Sequence, residues 1–262
     1  MIVRIEDPAD PRVAPYHQVR ERDLVGREGL FIAEGQVVLE KAVAAGRHPL
    51  VSVLLAEKRV EALAPLLLGL PADVPVYAAG QAVLDAIAGF HLHRGILALG
   101  RRADVDAGAL LAGLPDKALV VALVGIANHD NMGGIFRNAA AFGADAVLLD
   151  PTCCDPLYRK AIRVSVGAAL TMPFAEAEDP LALLAEAGFE VVALSPRGEV
   201  EIGDLRPAGG RTALLLGAEG PGLPDAMMAR ATSVRIDMAG GFDSLNVATT
   251  SGIVLHHLRS AR

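Results

Sequence analysis

The run ALVVALVGI, Ala118 to Ile126, constrains the fold more than any other stretch of this chain. It is continuously apolar rather than alternating, the pattern of a strand buried on both faces of a parallel sheet. It is too short to be a membrane span, which needs about 20 apolar residues. The next stretch, NHDNMGGIFRNAAAFGADAVLL (Asn128 to Leu149), is a glycine-containing turn, a helical pattern and a second apolar run. A strand, a turn, a helix and a strand in that order predict a parallel α/β unit. The helix is expected from about Met132 to Phe142, capped by Asn131 and stopped by Gly143.

The same alternation extends in both directions. Upstream, FIAEGQVVLEKAVAAG reads as a strand end and a helix stopped by Gly46, PLVSVLLAE as a strand, and RVEALAPLLLGL as a helix broken by Pro65. VPVYAA, GQAVLDAIAG and HRGILALGRR continue as strand, helix and strand. Residues 101–116 mix charge, Gly and Pro and read as a linker with a weak helical pattern. Downstream come LYRKAIRVSVGAAL (helix), LALLAEAGF (helix), EVVALSP (strand), TALLLGAEGPGLP (strand into a Gly-rich loop) and SVRIDMAGG (strand). FDSLNVATTSGIVLHHLR is expected as a long helix capped by Asp243 or Ser244. The division is therefore residues 1–100, a linker 101–116, and a second domain 117–262.

With 52% hydrophobic and 21% charged residues among 262, there is ample material for cores and no sign of disorder. The opening MIVRIEDPADPRVAPY lacks the apolar stretch of a signal peptide, so a soluble cytoplasmic protein is expected. Cys153 and Cys154 are adjacent, a poor disulfide pair, and no CxxC or HxxxH spacing suggests a metal. They read as small, half-buried apolar side chains. The net charge of −7 argues against non-specific coating of nucleic acid. Local basic clusters remain: Arg20, Arg22 and Arg27; Arg94, Arg101 and Arg102; Arg159, Lys160 and Arg163.

Three stretches carry possible chemistry. The Gly133–Gly134 turn lacks the G-x-G-x-x-G spacing of a dinucleotide fold and the Lys of a P-loop. It still permits close backbone approach. Arg137, among Ile135, Phe136 and three alanines, keeps its charge on burial and must find an anion or water. Its partner is a carboxylate such as Asp130 or Asp145, or an external anion. LLLGAEGPGLP delivers Glu219 at the carboxyl end of a strand, where α/β folds bind ligands. RIDMAGGFDSLNVATTSG sets Ser244 and Asn246 at a helix start behind a Gly240–Gly241 hinge.

Taken in order, N-M-G-G-I-F-R (Asn131, Gly133, Arg137), R-V-S-V-G-A (Arg163, Ser165, Gly167), L-L-G-A-E-G-P-G-L (Leu215 to Leu223) and I-D-M-A-G-G-F-D-S-L-N-V (Ile236 to Val247) resemble the SpoU, or TrmH-like, RNA 2′-O-ribose methyltransferases. The likeness runs from about residue 117 to the end. More loosely, F-I-A-E-G-Q and H-R-G-I-L-A-L resemble the substrate-binding domain that many members carry.

The resemblance implies a C-terminal parallel sheet with a deep trefoil knot, joined to a smaller N-terminal α/β (L30e-like) domain that binds RNA. It implies a homodimer through the knotted domain, with S-adenosyl-L-methionine as cofactor and neither metal nor membrane. Cofactor residues would be Leu194, Ser195, Pro196, Leu216, Gly217, Glu219, Gly222, Ile236, Met238, Ser244, Leu245 and Asn246. Catalytic and substrate-facing positions would be Arg137, Asn131, Glu219, Ser244 and Asn246. Arg20, Arg22, Arg27, Arg94 and Arg163 would bind RNA. The third motif more often reads I-P-M; here Asp237 stands in place of that proline, and N-V-A-T-T replaces N-V-S-V-A.

The implied reaction is methylation of a ribose 2′-hydroxyl in structured RNA, ribosomal RNA first and transfer RNA as the alternative. Alignment of the reacting groups can supply roughly 7–11 kcal/mol, more than proton transfer. A guanidinium stays protonated, so Arg137 fits phosphate and alkoxide stabilisation better than general-base work. Competing readings are a non-catalytic RNA-binding homologue and a dinucleotide-dependent enzyme.

Overall fold

The computed structural model describes residues 2–17, 24–207, 209–240, 242 and 244–260. Its internal contacts divide the chain into two units, 1–103 with 157–171, and 104–156 with 172–262.

In the first unit, strands β1 (Ile2–Ile5), β2 (Leu30–Glu34), β3 (Leu50–Ala56), β4 (Val76–Ala79) and β5 (Ile96–Arg101) form a sheet in the order β1-β4-β3-β5-β2. β1, β4 and β3 run parallel, and β5 is antiparallel to both its neighbours. Helix α1 (Gln36–Ala45) ends where Gly46 takes a φ of 59° and returns its N–H to Ala42. Pro65 opens α2 (Ala64–Leu68) rather than breaking a helix, because a proline in the first turn forfeits no internal hydrogen bond. Helix α3 (Gln81–Ala88) completes the unit up to β5. Ile5, Leu54, Leu84, Ile87, Leu92 and Leu99 fill its core.

The second unit opens with α4 (Ala107–Ala112), capped by Asp106, whose carboxylate accepts from Ala109 N at 2.7 Å. The stretch expected as a linker therefore carries a helix, and its Ala107 and Leu111 are core residues. Next come β6 (Leu119–Leu123), α5 (His129–Ala141) and β7 (Ala146–Leu149).

The segment expected as one helix from Leu157 is two, α6 (Arg159–Val164) and α7 (Ala168–Thr171). The break is at Val166, with φ 53°, and Gly167, with φ 78°. A β-branched residue in the left-handed region is strained. Gly167 answers a conformational need, since its φ is one that residues with a side chain rarely adopt. α6 packs on β2 and α7 on α1, so this segment joins the first unit rather than the second.

The second unit continues with β8 (Phe174–Glu176), α8 (Pro180–Glu186), β9 (Glu190–Leu194), β10 (Val200–Glu201), β11 (Thr212–Leu216), α9 (Asp225–Met228), β12 (Thr232–Arg235) and α10 (Val247–Ser260). Its seven strands are ordered β10-β12-β9-β11-β6-β7-β8, and every pairing is parallel. The expected parallel sheet is thus present. All five residues of β6 and of β11 are buried, as continuous apolar runs require of central strands. One face, through Val120, Ala122, Leu148, Ala193 and Leu215, packs on Leu111 of α4 and Leu181 and Leu184 of α8. Helix α5 lies on the other: Phe136 meets Phe174 edge-on at 5.7 Å, while the next residue, Ala175, belongs to the α4–α8 side. β11 enters the sheet between β9 and β6, both earlier in the chain. Among the described residues no helix is long and apolar enough to cross a membrane.

Candidate active site

Parallel strands deliver their carboxyl ends to one edge of a sheet, and in open α/β sheets ligands bind beyond that edge. Here β9, β11 and β12 release three loops there. Residues 194–197, residues 216–220 with Gly222, and Ile236 with Met238 line a cavity of about 700 Å³, together with residues 244–247 and Thr250. Small-molecule sites typically span about 300–1,000 Å³.

The loop after β11 folds back on itself, with Ala218 and Gly222 forming an isolated antiparallel bridge. Gly217 makes that possible, since a Cβ there would lie 2.7 Å from the backbone of Gly222 and Leu223. The fold-back leaves Glu219 exposed at the cavity.

Asn246 organises the polar side. Its Oδ1 accepts from Ala248 N at 2.9 Å and Thr249 N at 3.1 Å, capping α10. Its Nδ2 donates to Asn131 Oδ1 at 2.7 Å and to Glu219 Oε1 at 3.1 Å. One amide therefore ends a helix and ties α5 to the β11 loop. Asn246 does the capping expected of Asp243 or Ser244; Asp243 lies outside the described residues, and Ser244 lines the cavity.

Asn131 does not cap α5. Asn128 does, accepting from Asp130 N at 2.8 Å and Asn131 N at 3.4 Å, so the helix starts at His129. Asn131 is instead inside the first turn, 5% exposed, facing Asn246. Two asparagines three residues apart both satisfy the capping pattern, and only the tertiary contact separates them.

The helices α5 and α10 approach closely through small residues. A Cβ on Gly134 would stand 2.7 Å from Ala248 Cβ. Asn138 Nδ2 donates to Ala248 O at 2.6 Å and Ser251 Oγ at 3.0 Å. Asn131 and Asn138, two turns apart on α5, thus hold the start of α10 at two points.

All twelve residues expected to hold the cofactor line the cavity: Leu194, Ser195, Pro196, Leu216, Gly217, Glu219, Gly222, Ile236, Met238, Ser244, Leu245 and Asn246. Arg197, Ala218, Gly220, Val247 and Thr250 line it too and were not anticipated, although each adjoins or shares a loop or helix start with one that was. Of the catalytic positions, Asn131, Glu219 and Asn246 are joined by hydrogen bonds. Arg137 is exposed on α5 and is not a lining residue. No hydrogen bond or ion pair engages its guanidinium with another described residue, so the pairing with Asp130 or Asp145 is not made. Asp145 instead accepts from Leu119 N at 2.7 Å.

In the first unit, Arg94 and Arg163 are exposed. Arg159 is engaged, 3.9 Å from Glu34 and stacked 4.8 Å over the Phe90 ring. Arg20 and Arg22, and the side chain of Arg27, lie outside what is described. Cys153 is tied in place, its Sγ accepting from Ile126 N at 3.3 Å and donating to Leu123 O at 3.5 Å. Burial pushes its thiol up to about 12 and that of Cys154 to about 11, which favours the protonated form of both at neutral pH. Among the described residues no group of His, Cys, Asp and Glu is arranged to hold a metal ion.

Residues 118–256 match the SpoU rRNA Methylase family. An uncharacterized tRNA/rRNA methyltransferase of Mycobacterium bovis is 39% identical over 262 residues, covering 95% of this chain and 89% of that one. The AdoMet-bound rRNA methyltransferase from Sinorhizobium meliloti superposes with a TM-score of 0.85 at 24% identity, over 99% and 98% of the two chains. A solved RNA 2′-O ribose methyltransferase gives 0.75 at 25% identity over 99% of each.

Proposed function

Because the chain belongs to the SpoU rRNA methylase family, we propose that it is an S-adenosyl-L-methionine-dependent RNA methyltransferase acting on a ribose 2′-hydroxyl. The observation that carries this reading is the Asn131–Asn246–Glu219 constellation at the rim of a cavity beyond the strand ends. The likeness to a 2′-O ribose methyltransferase supports the choice of atom.

The cavity fits the cofactor. Leu194, Leu216, Ile236 and Met238 offer apolar walls for a purine, and Glu219 and Asn246 offer polar groups for the amino-acid end. When bound, S-adenosyl-L-methionine supplies a methyl group on a positively charged sulfur. Glu219 sets a carboxylate at a site that must attract a cation, and Asn246 fixes its orientation. The neutral leaving group requires neither metal nor covalent enzyme intermediate.

Arg137 takes the RNA. An exposed guanidinium with no partner among the described residues suits a phosphate and a developing alkoxide. Because it keeps its own proton, the hydroxyl proton leaves to a phosphate oxygen or water. Arg137 is not part of the cavity wall of its own chain, which supports a homodimer in which each copy offers its arginine to the other's site. The insertion of β11 between β9 and β6 supports a trefoil knot in the second unit. Arg20, Arg22, Arg27, Arg94 and Arg163 of the first unit dock RNA by its shape and phosphates. Ribosomal RNA is the proposed substrate and the cytoplasm the compartment.

The test is transfer of label from radioactive S-adenosyl-L-methionine to total ribosomal or transfer RNA from a strain lacking the gene, with Arg137→Ala as control. Alkali-resistant label in ribosomal RNA, absent with the variant, is expected. Label in transfer RNA alone would move the substrate. Cofactor binding without label in either pool or in ribosomal particles would leave an RNA-binding homologue.

A further inference from the structure

Two walls of the cavity are separate in sequence: Ser195–Arg197 follows β9, and Ile236 with Met238 follows β12. Arg235 bridges them, beside Ser233 of β12, whose Oγ accepts from Glu199 N at 3.0 Å. Arg235, the last residue of β12, donates from Nη1 to Gly198 O at 3.2 Å and Glu199 O at 2.9 Å. Its Nε donates to Asp237 Oδ1 at 2.9 Å. The Ser195–Glu199 turn also lies flush on β12, where a Cβ on Gly198 would come within 2.3 Å of Val234 C.

Asp237 sits between two lining residues, Ile236 and Met238. Its carboxylate and the two carbonyls occupy three directions of one planar, pre-organised donor fork. As an exposed ion pair, with side chains 35% and 62% exposed, Arg235–Asp237 adds little to global stability. Its value is in fixing where the guanidinium points.

We propose that Arg235 is a positioning residue for the cofactor, a latch that makes the Ser195–Glu199 turn and the Ile236–Met238 segment one wall, with Asp237 as its orienting partner. The inference rests on the cavity being the S-adenosyl-L-methionine site. The latch closes the wall before any ligand arrives, so the site loses less freedom on binding.

The test compares wild type, Arg235→Lys, Asp237→Ala and Asp237→Asn by two readouts that need no RNA. Calorimetric titration with S-adenosylhomocysteine reads the site, and amide hydrogen exchange of residues 195–199 in the free protein reads the latch. Lys gathers its three donors on one compact nitrogen and cannot span acceptors that Arg235 reaches from Nε and Nη1 separately, so Arg235→Lys is expected to weaken binding about ten-fold, the effect of one or two lost hydrogen bonds. Exchange of residues 195–199 should speed up by a similar factor while the melting temperature stays put. Asp237→Ala should show a smaller change of the same kind, and Asp237→Asn, which keeps an acceptor for Nε, should recover most of it. Unchanged exchange in both Arg235→Lys and Asp237→Ala would overturn the latch. Faster exchange with unchanged affinity would overturn its role in binding. Failure of wild type to bind S-adenosylhomocysteine would remove the cofactor reading, leaving the exchange result to decide the latch alone.

Discussion

Asn246 donates to Asn131 at 2.7 Å while its own amide oxygen caps the helix it precedes. Turning the amide to improve one function would forfeit the other. Asn246→Asp separates them: the carboxylate still caps α10, but it cannot donate to Asn131 and stands beside Glu219 with like charge. Loss of a hydrogen bond to a charged group costs roughly 1.5–3 kcal/mol, so methyl transfer is expected to fall at least about ten-fold. The melting temperature should change by only a few degrees. Steady-state kinetics beside a thermal melt checks this, and wild-type turnover in the variant would remove Asn246 from the site.

Gly134→Ala sets two effects against each other. In a helix interior the change gains about 1 kcal/mol of propensity. The new Cβ would meet Ala248 Cβ at 2.7 Å and push α10 away. Overpacking typically costs about 1–3 kcal/mol, so it should win or break even, and affinity for S-adenosylhomocysteine should drop because Asn246 moves with α10. The double variant with Ala248→Gly should recover affinity. A more stable single variant with unaltered affinity would contradict the close packing.

The dimer proposal has its own test. Neither Arg137→Ala nor Asn246→Ala should be active alone. Co-expressed, half the dimers would be mixed and each would hold one intact site, so about a quarter of wild-type activity should return if the arginine crosses between copies. No recovery would confine Arg137 to its own chain.

His48 makes stability pH-dependent. Burial, with Arg102 and Arg47 adding repulsion, lowers its pKa from 6.5 to about 4, and its Nδ1 accepts from Ala103 N at 3.1 Å. The folded protein favours the neutral ring, so this contribution is complete above pH 6.5 and is lost as pH falls through about 4. Denaturant titrations should show on the order of 2 kcal/mol disappearing across that window. Gln in place of His48 keeps an acceptor without titrating and should flatten the slope there. An equal slope in His48→Gln would assign the effect elsewhere.

Both thiols should be silent in the native state. With Cys153 near 12 and Cys154 near 11, reaction with a disulfide reagent at pH 8 should be roughly 100-fold slower than for a free thiol, and rapid after unfolding. Fast native labelling of either would show the Asp150–Asp155 loop to be open.

The central strands were legible because burial on both faces writes itself as an unbroken apolar run, as at Leu119–Leu123 and Thr212–Leu216. Gly46 and Gly143 announced helix ends because positive φ favours glycine. The features that stayed hidden depend on partners distant in the chain. Nothing local distinguishes Asn128 from Asn131 as a cap, or assigns α10's cap to Asn246 over its neighbours. Ala107 and Leu111 looked like a linker because so short an apolar pattern gains meaning only against Val120 and Leu184. The break at Val166 sets a β-branched residue in a left-handed conformation that its side chain opposes, so nothing in that residue announced it. The cavity residues were found through resemblance, since their loops converge only in three dimensions.

The position of β11 also bears on the chain's life before it is finished. The strand that leads into Gly217 and Glu219 pairs with two neighbours that are made before it, and Asn246, just ahead of α10, is made later still. A chain that stops before Asn246 lacks the residue that joins Asn131 to Glu219. The constellation is therefore completed only late in synthesis, after every strand of the sheet has been made.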